Sequence, residues 1–322
     1  MKAIATFDVG TTNVKGVLIS FDGKVLHTQS RKVDTFYLGE KKNLIEQQPE
    51  QWYQAFCEIS KSFFDVCAPE EIAGLVLSGQ MQDLILLNHQ GKPVMDAVLY
   101  SDGRAGKEAE EISRIIGKQR IEESTANDFD GSRPFAKLLW VKQNRPLVYQ
   151  QTAHVLISSK DYIITRLTDQ YVSDVISCST AGLMDIRTKQ WHAEWLVEIG
   201  LQEVQWPRIL HAHQQAGQVT PAAARETGYV SGMPVYAGAG DAGSATLSSG
   251  ILRDGEFNIN LGTSGWIACT SQHPLLQEGV SNLAAMPEDT YINVVPFFNA
   301  GNVYQWAAGF FLPDIQIGRA HV

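Results

Sequence analysis

Asp241, set among glycines in YAGAGDAGSA (residues 236–245), is the residue of this chain whose surroundings most invite chemistry. Two chemistries compete for the stretch. Taken as G-x-G-x-x-G, Gly238, Gly240 and Gly243 would cradle a dinucleotide pyrophosphate; taken as a loop that turns sharply, they would leave room for a substrate hydroxyl beside a carboxylate base. The dinucleotide fingerprint opens a βαβ unit and needs an acidic residue about 20 positions on, at the tip of the next strand. Here the next expected strand ends in Asn260-Leu261-Gly262, and Asp241 itself would repel a pyrophosphate. The spacing favours the base. An unperturbed Asp, with a pKa of about 3.9, is a weak base for an alcohol. Phosphoryl transfer, however, passes through a loose transition state in which the carboxylate chiefly orients the hydroxyl and takes its proton late. The competing role for Asp241 is to cap the helix that follows, AGSATLSS.

Two glycine-hydroxyl turns offer the complementary half of such a reaction. Asp8 is followed by Gly10-Thr11-Thr12, and Asn260 by Gly262-Thr263-Ser264, so FDVGTTNVKG and INLGTSGWIA align as echoes of one β-turn-β unit. Backbone N–H groups and hydroxyls in such turns suit phosphate oxygens, and no lysine-bearing G-x-x-x-x-G-K-[ST] loop occurs in the chain. Asp8 is placed to hold Mg2+, which keeps several waters and takes one or two carboxylates; its alternative is a turn-initiating Asp bonded to its own backbone. The hairpins, taken alone, are also explained as two unrelated turns. Gln80-Met81-Gln82-Asp83 and Asp102-Gly103-Arg104 each follow an expected strand and carry the amide, carboxylate and guanidinium groups that read sugar hydroxyls. Capping of a helix starting near Arg104 competes for Asp102, and Met81 alone would be assigned to the core.

These groups need strands and helices to hold them. IATFDVGTTNVKGVLISFDGKVLHTQS predicts three antiparallel strands joined at Gly10–Thr12 and at Asp22-Gly23. Trp52, Phe56, Ile59, Phe63 and Val66 recur at helical spacing behind Pro49. IAGLVLSG and LILLN predict strands, as does a run ending near Tyr100. Helices are expected from Arg104 to Ile116 and over 135–144, 159–167, 191–199 and 221–228, with a loop over 117–134. YVSDV, GLMDI and 234–237 read as short strands, and EFNINLGTSGWIACTS as strand–turn–strand.

At 322 residues the chain exceeds what one core usually supports, so two domains are expected, and 44% hydrophobic content can fill both. A net charge of −9 argues against a nucleic-acid partner and points to a small molecule. Cys57, Cys67, Cys178 and Cys269 lack C-x-x-C spacing, which fits a reducing cytoplasm. With no signal-peptide pattern and no run of about 18 apolar residues, a soluble cytoplasmic protein without membrane contact is expected. The terminal IGRAHV (317–322) resembles a translated sequencing adapter after a stretch, VYQWAAGFFL, that reads as mid-helix, so a C-terminally truncated chain is expected.

In this order the segments resemble one family, the FGGY carbohydrate kinases of the actin/hexokinase-like (ribonuclease H-like) α/β ATPase fold, and within it the xylulokinases. The resemblance is carried by FDVGTTNVKGVLISFDGKVL, EQQPEQWY, LSGQMQDLILLNHQGKPVMDAVLYSDGRA, KLLWVKQNRPLVYQQTAHVLISSKDYIITRLTDQYVSD, AGAGDAGSA and LGTSG, which run over nearly the whole chain. It implies an N-terminal sugar-binding domain over 1–245 and the beginning of a C-terminal domain over 246–322. It also implies ATP-dependent phosphorylation of a sugar hydroxyl with Mg2+: D-xylulose to D-xylulose 5-phosphate, or another ketose or sugar alcohol. By residue-wise carry-over, Asp241 resembles the catalytic base and Asp8 the metal-linked carboxylate. Gly10, Thr11 and Thr12, with Lys15, resemble the first nucleotide-phosphate loop and Gly262, Thr263 and Ser264 the second, while Met81, Gln82, Asp102 and Arg104 resemble sugar contacts. Two departures loosen the substrate assignment: Gln82 stands where xylulokinases usually have His, and Ala242 where they usually have Asn. A homodimer is left open.

Overall fold

The computed structural model describes residues 2–40, 43–261, 265–286 and 288–297, with Val303, Trp306, Ala307, Phe310 and Phe311 beyond them. The second glycine-hydroxyl turn, Gly262-Thr263-Ser264, and the terminal 317–322 lie outside the described residues.

The chain opens with the expected antiparallel meander: β1 (Ala3–Val9), β2 (Asn13–Ser20) and β3 (Val25–Lys32). Along β1, Ala3, Ala5, Phe7 and Val9 are buried on one face, while Ile4 and Thr6 are half-buried and Asp8 exposed on the other. The buried face is covered by α1 (Pro49–Phe63), which starts with proline at its first position and carries Glu50 in its first turn. Trp52, Phe56, Ile59 and Phe63 are fully buried, and the Phe56 ring packs 4.4 Å from that of Phe7. Side chains of this size contribute about 1.5–3 kcal/mol each when taken from water, so this contact fastens helix to sheet. Val66 is a correction: α1 ends at Phe63, and Val66 lies beyond it, 52% exposed.

β1 also pairs in parallel with the strand Ile72–Gly79. The full sheet runs Gln215–Gln218, Pro234–Tyr236, Ile72–Gly79, β1, β2, β3, and the short strand Ala239–Gly240 also pairs with Ile72–Gly79. A meander on one edge and parallel strands next to it make a mixed sheet, unlike the parallel βαβ opening of a dinucleotide fold. Beside α1, with the Tyr162 ring 6.4 Å from that of Trp52 and in the same apolar cluster, the helix Ser159–Thr168 begins with a capping box in which Ser158 and Asp161 satisfy each other's backbone.

A second apolar cluster gathers around the helix Pro134–Asn144, with Leu138 and Trp195 fully buried. The reading of 117–134 as loop is corrected, because Lys118–Thr125 is helical, joined to Gly106–Ile112 through a π-turn at Ser113–Gly117. Its sequence, KQRIEEST, supplies only Ile121 as an apolar anchor, so no periodic stripe announces it. Beyond the helix Asp241–Ser248 comes a four-stranded antiparallel sheet in the order Phe257–Leu261, Gly265–Ser271, Tyr291–Phe297, Ser281–Ala284. Its Ala268, Leu283 and Ile292 pack against Val175 and Ile176. Among the described residues, no helix is long and apolar enough to cross a membrane.

Candidate active site

Strand register brings the two chemically interesting carboxylates together. Asp8 pairs with Ser78, Ser78 pairs with Ala239, and Gly79 pairs with Gly240, so three parallel strands end side by side. Asp241 follows at once as the first residue of its helix. The crevice outside the carboxyl ends of parallel strands is where α/β sheets bind ligands. Here that crevice is a cavity of about 510 Å³, lined by Asp8, Ser78, Asp241 and Ser244 on one side and by Trp266 and Pro296 of the four-stranded sheet on the other.

Close packing decides why glycines precede Asp241. Gly238 has φ +63°, and a Cβ there would sit 1.8 Å from the Leu77 carbonyl oxygen; at Gly240 it would sit 1.9 Å from Met81 Sδ. The glycines therefore let the loop press onto the neighbouring strand end. The Asp241 side chain is exposed, but to the cavity; protein surrounds it elsewhere. That burial pushes its pKa up to about 6, helped by the charges of Asp8 and Asp174 and opposed by the Ala242 N–H, which donates to Oδ1 at 2.7 Å. Bonding its own helix and facing the cavity thus coexist at this residue. No hydrogen bond to Oδ2 occurs among the described residues.

Asp8, whose exposed face opens onto the cavity, is likewise held above the usual carboxylate range by the protein packed around the rest of it, against the pull of Lys15, its register partner on β2. The Gly10–Thr12 turn is braced from inside: the Gly10 N–H donates to Asn13 O at 3.1 Å and the Thr11 hydroxyl to Gln80 Oε1 at 2.7 Å. Gln47 Nε2 donates to the Thr11 carbonyl at 2.7 Å. Thr11 thus spends its hydroxyl on the protein, while Thr12 is exposed.

The expected sugar contacts divide. Met81 lies against Gly240, one residue from Asp241. Gln82 takes the left-handed conformation, φ +64°, and its Nε2 donates to Ser132 Oγ at 2.7 Å. Beneath it the fully buried Lys137 donates to the carbonyls of Gln82 (3.2 Å) and Leu99 (2.7 Å). Burial pushes Lys137 down and the adjacent buried Asp83 up, toward a neutral pair. Asp102 and Arg104 meet each other instead of the cavity: Arg104 Nη2 reaches Asp102 Oδ2 at 2.7 Å and Nη1 reaches Glu46 at 2.7 Å, with the Arg104 side chain 1% exposed. Asp102 also accepts the Ile45 and Arg104 N–H groups, so its acceptors are used within the protein. The helix-capping alternative for Asp102 is not realised, because the helix begins at Gly106 without a side-chain cap.

Sequence reasoning passed over Ser78, Trp266 and a buried charge cluster of Lys160, Asp161 and Asp174 behind Gly240. For the cluster the available signal was Lys160, Asp161 and Asp174 standing beside apolar runs in SKDYIITRL and YVSDV.

Residues 3–248 match the family described as FGGY family of carbohydrate kinases, N-terminal domain. A xylulose kinase of Staphylococcus xylosus is 26% identical over 310 residues, covering 95% of this chain and 63% of that protein. A gluconokinase of Bacillus licheniformis is 25% identical over 300 residues, covering 93% of this chain and 58% of that protein. The crystal structure of xylulose kinase from Rhodospirillum rubrum superposes with a TM-score of 0.90 at 24% identity, covering 97% of this chain and 64% of that one, a likeness of fold. The chain thus spans about three fifths of the length of these proteins.

Proposed function

The chain belongs to the FGGY family of carbohydrate kinases, and from that premise we propose that it serves transfer of the ATP γ-phosphate to a hydroxyl of a small sugar, D-xylulose before other ketoses, giving D-xylulose 5-phosphate. The observation that carries this reading is the register of three parallel strand ends, which puts Asp8 and Asp241 on one cavity.

Asp241 Oδ2 is the acceptor for the sugar hydroxyl proton, and the Ala242 N–H fixes the other oxygen so that the carboxylate keeps one orientation. With a loose transition state, that orientation contributes more than basicity. Asp8 fits Mg2+: its carboxylate opens onto the cavity, and an ion that keeps its own waters needs only one or two such ligands. Mg2+, when bound, neutralises charge developing on the transferred phosphate. The Gly10–Thr12 turn and Lys15 face the phosphates from the β1–β2 side, and Gly262, Thr263 and Ser264 are assigned the opposite side. Apolar Trp266, Val294 and Pro296 exclude water, the competing acceptor.

Met81 and Gln82 border the sugar. The similarity to a protein named gluconokinase, together with Gln82 and Ala242, keeps a sugar acid, another ketose or a sugar alcohol as the second reading. An ADP-release screen across ketopentoses, ketohexoses, gluconate and polyols tests both readings. D-xylulose is expected to give the highest kcat/KM, and preference for gluconate would replace it with the second reading.

The acid side of the pH profile follows from Asp241. Only its ionised form accepts a proton, and its pKa is raised to about 6. Sugar kcat/KM is therefore expected to climb about tenfold per unit up to pH 6 and level off above 7. A profile flat from about pH 5 to 8 would place the proton acceptor elsewhere.

A further inference from the structure

Behind the cavity, Asp174 ties together three segments that the chain otherwise leaves far apart. It is fully buried. Its Oδ1 accepts the N–H groups of Ile176 (3.0 Å) and Ser177 (3.1 Å), which begin the short helix Val175–Cys178, and also the N–H of Gly240 at 3.3 Å. Its Oδ2 accepts the Ser177 hydroxyl at 2.5 Å and pairs with Lys160 Nζ at 2.8 Å. Lys160 is itself fully buried and reaches Asp161 Oδ1 at 2.7 Å, and Asp161 in turn accepts the Ser158 N–H at 3.0 Å.

We propose that Asp174, oriented by Lys160, is a positioning residue for phosphoryl transfer, holding the Gly240 amide so that the carboxylate of the next residue, Asp241, points into the cavity. The inference rests on the proposed role of Asp241. Capping a helix needs one oxygen and one or two amides. Asp174 does more: it spends its capping oxygen on a third amide 66 residues away and anchors the second oxygen to a buried cation. A carboxylate in this setting cannot rotate without breaking an ion pair inside the protein. Met81 and the Ser177 hydroxyl also close on Gly240 where a Cβ would sit, leaving its backbone little room to move. Between them these contacts fix where the helix Asp241–Ser248 begins, and with it the first side chain of that helix.

Asp174→Asn separates positioning from capping. Asparagine keeps an acceptor for the helix amides, so the short helix survives, but it gives up the ion pair that decides which atom faces Gly240. In coupled ADP-release assays kcat is expected to fall about tenfold to a hundredfold, the scale of a misplaced catalytic group. Sugar KM stays within about twofold. The double variant Asp174→Asn/Asp241→Asn is expected to lose no more than Asp241→Asn alone, because the first residue acts only through the second. Additive losses, or a parallel change in kcat and KM, would overturn the positioning role while leaving the base in place. Near-normal turnover of Asp241→Asn would overturn both. Should Asp174→Asn fail to fold, hydrogen exchange on the unaltered chain decides: the Gly240 amide is expected to be protected as well as those of Ile176 and Ser177, and exchange at open-loop rates overturns the proposal.

Discussion

Replacing Asp241 by asparagine is expected to lower kcat for sugar phosphorylation by about 10²–10⁴-fold, the range that a positioned general base supplies, with sugar affinity close to that of the unaltered protein. Asparagine has the same shape and can still accept the Ala242 N–H that Oδ1 accepts at 2.7 Å, so the helix start is preserved. What disappears is the oxygen able to take a proton. The loss is expected in kcat more than in KM, because the hydroxyl still finds a polar partner in the ground state and misses it only as its proton departs. Calorimetric titration with sugar and steady-state ADP release, run side by side, separate the two quantities. A loss of less than about tenfold would mean that Asp241 is not the proton acceptor.

Lys160→Met should have the largest effect on stability. The substitution keeps much of the stem's volume but removes the cation lying between Asp161 and Asp174, all three groups being fully buried. Breaking such a set by deleting one member costs about 3–5 kcal/mol, and for a chain of this size the melting temperature is expected to drop by on the order of 10 °C. The deficit has a definite pH signature. In the native protein burial already raises Asp161, and Lys160 opposes that rise. Without the lysine the folded-state pKa climbs further above its unfolded value, so the folded chain holds a proton that the unfolded chain releases. Stability of the variant is then greatest at low pH and is lost as pH rises through the folded pKa. Thermal melts at pH 5 and pH 8 are therefore expected to differ more for Lys160→Met than for the unaltered protein. An equal deficit at both values would mean that the Asp161 carboxylate does not depend on this cation.

What the sequence discloses and what it withholds divide along physical lines. The β1–β2–β3 meander is legible because alternation and the Asp22-Gly23 turn are local signals, and α1 because four large apolar residues recur at helical spacing behind a proline. Asp8 and Asp241 are legible as chemical groups, since an acid beside glycines is a cheap pattern to see. Their meeting is not. It depends on Ile72–Gly79 pairing with β1 on one edge and with Ala239–Gly240 on the other, and no local pattern encodes that register. Asp102 and Arg104 show a second kind of withheld information. Residue type suggests sugar recognition, but Glu46, more than fifty residues earlier, is folded against Arg104 and the charges are consumed internally. The helix Lys118–Thr125 escapes notice because a single buried isoleucine leaves no stripe. The Asp174 cluster escapes because its partners lie 14 and 66 positions away.

The way the cavity is walled has a mechanical consequence. Both acid groups are rooted at strand ends that flank Ile72–Gly79 in one hydrogen-bonded sheet, whereas the facing indole and proline belong to a different sheet. Relative displacement of the two sheets changes the width of the slot and its access to solvent, but leaves the spacing of Asp8 and Asp241 as the strand ladder sets it. One jaw of the vice carries the calibration, and the other does the gripping.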